Sequence, residues 1–439
     1  MDERAVKRSK PTPMPMAFRL TSLASPARGA NDDCIGLRDL LAGAFTHAIL
    51  TNYKVDVPWL LEQSPQLTSV PVLLCHGSDQ TTMRAACAAC ANIRVLAPPL
   101  PIPYGTHHTK MMVLFYAASV RVAIFTANFV ASDWDAKTQG VWYQDFPLRS
   151  TSATEPTTDF EKELTQYLSA LHPSVATMAA AKLSLYDFGA ATVTLIASVP
   201  GVYMTPDDMA RYGHLRLRKV LQDHGVAVAP SQPIVAQFSS LGSLTEAWLR
   251  DFLASFSLAP PSPLPAPRGF HMIWPSVAAV RSSIEGYAAG RSLPCPLKNL
   301  KPFLHRYLRT WDPPASLQRT RAMPHIKTFA RIGVDGTLDF ALLTSANLSQ
   351  AAWGSYQKQK SQFMIRSYEL GVLFLPTPSQ RLVWSGMTST DNDDDRASGL
   401  RCPLPYKWPP TTYNTRQDEP WSWDQPHDEV DDFGETYLP

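Results

Sequence analysis

The chain has 439 residues, 45% of them hydrophobic. That is enough for a large core, organised as two or three domains or as one pseudo-symmetric unit. Its 40 basic and 38 acidic residues leave a net charge of +2, so a nucleic-acid surface would have to be a local groove and not a globally basic face. No apolar run reaches the ~18 residues of a membrane span, and the six cysteines do not form a disulfide framework.

Residues 1–15 are expected to be a flexible end. They lack the apolar stretch of a secretory signal. Within them "KRSK", Lys7 to Lys10, could serve nuclear targeting or could simply be a solvated cluster. "LRDLLAGAF" and "WLLEQS" read as helices, and "SVPVLLCHG" reads as a buried strand closed by Gly77. "CAAC", Cys87 to Cys90, has the spacing of a redox or zinc pair. No second pair follows, and its small neighbours suit a helix with inert thiols. "NIRVLAPPLPIPYG" is a strand running into a proline-stiffened loop.

The loop leads into "YGTHHTKMMVLFY", Tyr104 to Tyr116. Met111 to Tyr116 has strand length, and "VRVAIFTAN" supplies a second, alternating strand beside it. "TEPTTDFEKELTQYLSALH" is a helix with Asp159 as its expected N-cap and Phe160, Leu164, Leu168 and Leu171 on its apolar face. A new strand, "ATVTLIASVPG", opens near residue 191. The expected division is therefore 16–190 and 191–439. "YGHLRLRKVLQDHG" is a helix stopped by Gly225. "LAPPSPLPAPRG", Leu258 to Gly269, is an extended surface excursion. "STDNDDDRASG", Ser389 to Gly399, is an acidic loop without the central glycine and closing glutamate of a calcium loop.

The second half repeats the histidine stretch as "RAMPHIKTFARI", Arg321 to Ile332. His108 and Lys110 match His325 and Lys327. On a strand, residues two apart share a face, so each pair points one way. His107 then points to the other face and is expected to be decoration. The repeat continues in "VRVAIFTANF" and "LDFALLTSANLS", where Asn128 and Asn347 each end an apolar strand. A hairpin would return each asparagine to the His-Lys pair. A single His-x-Lys is weak evidence; two copies with matching strand ends point to a duplicated unit.

Metal binding is one reading of this set, but an ammonium beside a histidine repels a divalent cation. An anion suits it better. Lysines and asparagine amides can hold the oxygens of a phosphoryl group. One histidine can attack phosphorus while the other protonates the leaving oxygen. Neither a metal nor another cofactor is expected.

The doubled His-x-Lys…Asn pattern resembles that of the phospholipase D superfamily. "GTHHTKMM", "DWDAKTQGVW", "AMPHIKT", "TSANLSQAAWG" and "IRSYELGVLFLP" are similar to the motifs of its eukaryotic tyrosyl-DNA phosphodiesterase family. The likeness runs from "FRLTSL" to the end of the chain. The aspartate that lipases carry after the lysine is missing; Phe115 and Ile332 stand there. The resemblance implies an α/β fold of two similar, pseudo-two-fold-related halves, each a mixed sheet flanked by helices. It also implies a monomer that hydrolyses the 3′-phosphotyrosyl bond between DNA and trapped topoisomerase I, along with other 3′-blocking adducts, in the nucleus and, as a further location, mitochondria. By the same likeness His108 is the nucleophile, His325 the general acid, and Lys110, Lys327, Asn128 and Asn347 the phosphate-holding set.

Gln139 and Glu369 match two residues that contact the histidines, and Glu369 is expected to serve His108, Gln139 to serve His325. Ser239, Ser240, Ser243, Ser349 and Ala351 match strand contacts. Gln350 stands where a lysine is common. Tyr104 and Tyr437 fall at places for an aromatic that stacks on a base. Two other readings remain: a phospholipase D-like nuclease or lipid phosphodiesterase with the same chemistry, and a non-catalytic nucleic-acid-binding protein.

Overall fold

The computed structural model describes residues 15–150, 158–333, 336–385, 399–414 and 416–439. The basic cluster Lys7 to Lys10 lies outside them, as does the acidic stretch from Ser389 up to Gly399. Pro15, expected in the loose end, already accepts a hydrogen bond from Arg401 N at 3.0 Å. No described helix is long and apolar enough to cross a membrane.

Two sheets dominate. The first contains β1 (Arg19–Leu20), β2 (Phe45–Asn52), β3 (Val72–His76), β4 (Ile93–Leu96), β5 (Met111–Tyr116), β6 (Ser119–Phe125) and β7 (Gly140–Pro147). The second half adds β8 (Thr194–Ser198), β9 (Gly201–Tyr203), β10 (Ile234–Gln237), β11 (Phe270–Ile273), β12 (Leu308–Arg309), β13 (Thr328–Ile332), β14 (Thr337–Thr344), β15 (Ser355–Gln357), β16 (Gln362–Ile365), β17 (Glu369–Phe374), β18 (Leu382–Trp384) and β19 (Leu400–Cys402). Strand order in the first sheet is β4-β3-β2-β5-β6-β7-β1, and in the second β12-β11-β10-β13-β14-β17-β8. Both start with parallel pairs and turn antiparallel from the third strand onward. One connectivity has thus been built twice. β18 and β19 extend the end of β14, and β15, β16 and β9 form a separate small sheet.

The central strands show why their sequences read as continuous apolar runs. In β5, Met111, Val113 and Phe115 face the large core, while Met112 and Leu114 face a second core. A strand covered on both faces needs apolar residues at every position. The second core is closed by Leu37, Leu40, Val57, Leu60 and Met83 from three short helices. The large core joins the two halves, with β6 and β7 packed against β14 and β17. Phe252 and Phe256 of the helix Glu246–Ser257 lie against Phe329 on the second sheet.

Several local expectations change. In "LRDLLAGAF" only Leu37–Leu40 is helical; Phe45 is already in β2, buried and paired with Tyr116. The helix Asp159–Leu171 is capped by the Thr158 hydroxyl, which accepts from Glu161 N at 3.2 Å, so Asp159 is its first residue and not its cap. Gln237 is the last residue of β10. Its buried amide donates to Ile326 O at 2.7 Å, beside the second His-Lys pair.

Candidate active site

The His-Lys pairs sit in extended segments that lead into β5 and β13. Each segment docks on the opposite half. His108 N donates to Tyr368 O at 3.0 Å, just before β17, and His325 N donates to Thr138 O at 3.0 Å, just before β7. Glycine is required at two of these crossings. A Cβ on Gly105 would fall 2.0 Å from Arg366 O, and one on Gly140 would fall 2.6 Å from Leu343 Cδ1.

Backbone register equates residues across the pseudo-dyad. Phe125 N bonds Lys110 O, and Thr344 N bonds Lys327 O. Phe125 pairs with Val141 and Thr344 with Gly371. Counting onward from these pairs, Asn128 corresponds to Asn347, Gln139 to Glu369, and Thr126 to Ser345. Within "VRVAIFTANF" and "LDFALLTSANLS", Thr126 therefore aligns with Ser345 and not with Thr344. The two-residue difference in Lys-to-Asn spacing is taken up by the longer turn and the register irregularity between β13 and β14.

Around His108, Nδ1 lies 3.0 Å from Glu369 Oε2 and 3.0 Å from Ser345 O. The Ser345 hydroxyl donates to the same carboxylate oxygen and accepts from Leu370 N. Burial alone would raise the Glu369 carboxyl, but His108, Ser345 and Lys110 outweigh it and hold it below its usual range. Burial holds His108 below its own, with Glu369 opposing and Lys110 and Lys327 adding. The consistent state is a carboxylate accepting Nδ1–H of a neutral ring, which leaves a lone pair on Nε2.

The mirror arrangement surrounds His325. Its Nδ1 lies 2.9 Å from Gln139 Nε2 and 3.2 Å from Gln139 Oε1. Thr126 Oγ1 donates to Gln139 Oε1 at 2.7 Å and accepts from Gly140 N at 3.0 Å. Burial, then Lys327, Lys110 and Lys137, push His325 well below the ordinary histidine range.

Each lysine donates one bond to the carbonyl of its own histidine, Lys110 to His108 O at 2.7 Å and Lys327 to His325 O. Two ammonium hydrogens remain on each for a ligand. Both are fully buried. Burial lowers Lys110 to about 8; Lys327 is lowered well below normal, with Lys110 adding to burial. An incoming anion would reverse that cost for both.

The asparagines differ. Asn347 Oδ1 accepts from Ser239 N at 3.0 Å and from its hydroxyl at 3.3 Å, which turns its amide nitrogen away from that contact as a donor. Asn128 instead donates from Nδ2 to Asp133 at 2.9 Å, keeping one N–H, while its Oδ1 accepts from Lys54 N at 3.4 Å.

His107 is not surface decoration. Its ring is buried, 5.7 Å from that of Tyr368, and burial pushes its pKa down to about 3. Neither ring nitrogen meets a hydrogen-bonding group among the described residues.

The expected DNA contacts spread outward from Asn347. Ser239 is buried on it, Ser240 is half-buried with its hydroxyl on Pro294 O, and Ser243 is exposed with its carbonyl on Gln350 Nε2. Ser349 caps the short helix Gln350–Trp353, and Ala351 O accepts from Arg366 N and Ser367 N. Tyr104 is 92% exposed and holds a left-handed backbone, φ 62°, a conformation that clusters at functional positions. Tyr437 departs from expectation. It is 9% exposed, its ring packed on Trp421, Tyr287 and His427 and its hydroxyl on Trp423 O, so neither face is open for a base.

Residues that sequence reasoning missed include Thr126, Ser345, Asp133 and Tyr53. The first two were visible as the residue before Ala-Asn in each copy. Asp133 lay within "DWDAKTQGVW" unassigned. Tyr53, with its ring 5.3 Å from His108 and 5.6 Å from Lys110 Nζ, follows β2 with no sequence signal.

Glu369 gives a pH prediction. Its charge raises His108, so Glu369→Gln lowers the His108 pKa further. With His108 as the nucleophile that the family likeness implies, a protonated ring would be inactive, so the acid limb of kcat/KM should move to lower pH while the plateau falls, through weaker nucleophilicity, by roughly 10²-fold. A pH–rate series reads both, and an acid limb that stays in place or moves up contradicts the assigned contact.

The sequence profile of the family described as Tyrosyl-DNA phosphodiesterase matches residues 17–414. Tyrosyl-DNA phosphodiesterase 1 of Arabidopsis thaliana is 40% identical over 486 aligned positions, spanning 99% of this chain and 79% of that one. The Drosophila melanogaster protein of the same name is 34% identical, spanning 87% of this chain and 68% of that one. The crystal structure of yeast tyrosyl-DNA phosphodiesterase superposes with a TM-score of 0.70 at 19% identity, over 92% of this chain and 98% of that one, which shows a shared fold.

Proposed function

The chain belongs to the tyrosyl-DNA phosphodiesterase family and is a phosphodiesterase, and from that premise we propose that it hydrolyses the 3′-phosphotyrosyl bond left when topoisomerase I is trapped on DNA. The observation that carries the reading is the doubled geometry. Two His-Lys-Asn sets converge from opposite halves, one histidine backed by a carboxylate and the other by an amide.

His108 Nε2 attacks phosphorus, with Nδ1–H held by Glu369 and Ser345 O. Lys110, Lys327 and the Asn347 amide, with the remaining Asn128 N–H, hold the non-bridging oxygens as charge builds on them. The P–O bond to tyrosine breaks, and His325 Nε2–H protonates the leaving oxygen. The DNA 3′ end is then a phosphohistidine on His108. Water attacks that phosphorus, His325 Nε2 takes the water's proton, and the P–N bond breaks to release a 3′-phosphate and free His108. A carboxylate strengthens a nucleophile, whereas an amide leaves an imidazolium acidic enough to give up its proton. That difference supports the order of roles.

Two buried lysines beside the histidines would repel a divalent ion, so the proposed reaction needs no metal. Incubation of the full chain with a 3′-phosphotyrosyl oligonucleotide in EDTA should yield the 3′-phosphate product at the rate seen without chelator. A loss restored by Mg²⁺ would overturn the metal-free step, and faster turnover of a phosphatidyl lipid would favour the lipid phosphodiesterase reading. The further 3′ adducts, monomeric state and nuclear or mitochondrial location rest on the family resemblance alone.

A further inference from the structure

Asp133 is 2% exposed and sits beside His325. Its Oδ2 accepts from Asn128 N at 2.7 Å and Asn128 Nδ2 at 2.9 Å, and lies 3.4 Å from His325 Nδ1. Its other oxygen lies 3.5 Å from Lys137 Nζ, which is itself buried and bonded to Glu285 at 2.9 Å. A buried carboxylate is costly unless it answers a charge. The register shows what it answers. Five residues past Asn128 stands Asp133, followed by Trp134; five past Asn347 stands Ala352, followed by Trp353. The second half builds its asparagine turn with alanine there and orients Asn347 through Ser239 instead. Anchoring an asparagine therefore does not require an acid at this position.

The acid-base histidine does. A ring that gives and then takes a proton at Nε2 must keep Nδ1–H in both states, and so needs an acceptor at Nδ1 throughout. Gln139 Oε1, 3.2 Å away, can accept that bond but carries no charge. Asp133 Oδ2, 3.4 Å from the same Nδ1, sets a carboxylate beside it. His108 thus hydrogen-bonds its carboxylate, Glu369, whereas His325 hydrogen-bonds an amide, Gln139, and faces a carboxylate slightly farther off, Asp133, which stands opposite Ala352 in the repeat.

We propose that Asp133 is a positioning residue that holds His325 as an imidazolium ready to protonate the leaving group, while fixing the Asn128 amide. This rests on the reading of His325 as general acid. The charges facing His325 are Asp133 on one side and Lys137, Lys327, Lys110 and His108 on the others, with Gln139 neutral. Asp133 is the sole anion among them. Removing it lowers the protonated fraction of His325 at a given pH.

The test compares two leaving groups in the full chain. Asp133→Asn keeps the shape and one acceptor for Asn128 N. Against a tyrosyl oligonucleotide, whose leaving group has a pKa of ~10, kcat/KM should fall roughly tenfold to 100-fold. Against the p-nitrophenyl ester of the same 3′-phosphate, which leaves without a proton, it should fall far less. The alkaline limb of the tyrosyl profile should move to lower pH, because the acid form is lost sooner. The ratio of the two kcat/KM values does not depend on how much protein is folded. Asp133→Glu, which restores the charge, should bring the ratio back toward the parent value. Equal losses on both esters with an unmoved alkaline limb would show Asp133 to be structural only. If the parent protein leaves the tyrosyl ester intact, the proposed function itself fails; if the parent cleaves it, the ratio speaks to Asp133 alone.

Discussion

Replacing His108 by alanine should remove turnover and covalent trapping together, a loss of at least about 10⁴-fold in kcat, as expected when a nucleophile is deleted. No neighbour can take over the attack. His325 is engaged at Nδ1 by Gln139 and in the proposed reaction serves the leaving group, and both lysines are tied to histidine carbonyls. The informative control is the adjacent His107. Its ring is buried and stays neutral down to about pH 3, with no polar partner among the described residues. His107→Phe should therefore keep most of the activity per folded molecule, because a neutral ring of similar shape replaces another. His107→Ala should instead lower stability by about 3 kcal/mol through the cavity it leaves, visible as a lower Tm with chemistry retained. Rates and melting curves for the three variants separate the roles. If His107→Phe and His108→Ala lose activity equally, the register of the segment leading into β5 is wrong.

How much of this could be read beforehand varies with the physics. The β5 run was legible because a strand buried on both faces has no polar position. The repeat was legible because duplicated hairpins keep their end residues even when the turn between them lengthens. The contacts of Gln139 with His325 and Glu369 with His108 cross between halves, and each depends on the strand entering beside the opposite histidine. Sequence could suggest them only through resemblance. Asp133 went unread because its meaning lies in a difference, an acid where the repeat mate is Ala352. Noticing it requires the register that only the sheets supply. Tyr437 was placed on DNA through the family likeness, in which that position carries an aromatic, yet Trp421, Tyr287 and His427 enclose it. Likewise Thr158 competed with Asp159 for one cap, and neighbouring good capping residues cannot be ranked without backbone angles.

The division of labour between the histidines predicts a trapped intermediate. Tyrosine leaves phosphorus as a phenolate with a pKa of ~10, so the first step tolerates a weakened acid. The second step is less forgiving. Water must lose a proton as it attacks the phosphohistidine, and His325 Nε2 is the base placed to take it. His325→Asn cannot accept that proton, though it retains a polar side chain in the buried position. It should slow the second step by roughly 10²–10⁴-fold and the first step by less. The His108–DNA adduct then accumulates, visible under single-turnover conditions as a slowly migrating band on a denaturing gel. A phosphoramidate bond makes the band labile to acid and stable to mild base. Combining His108→Ala with His325→Asn should abolish it. A slow His325→Asn variant with no adduct would mean that chemistry before the intermediate limits it, so that His325 is not the base. An adduct mapped to any residue other than His108 would reverse the assignment of nucleophile and acid.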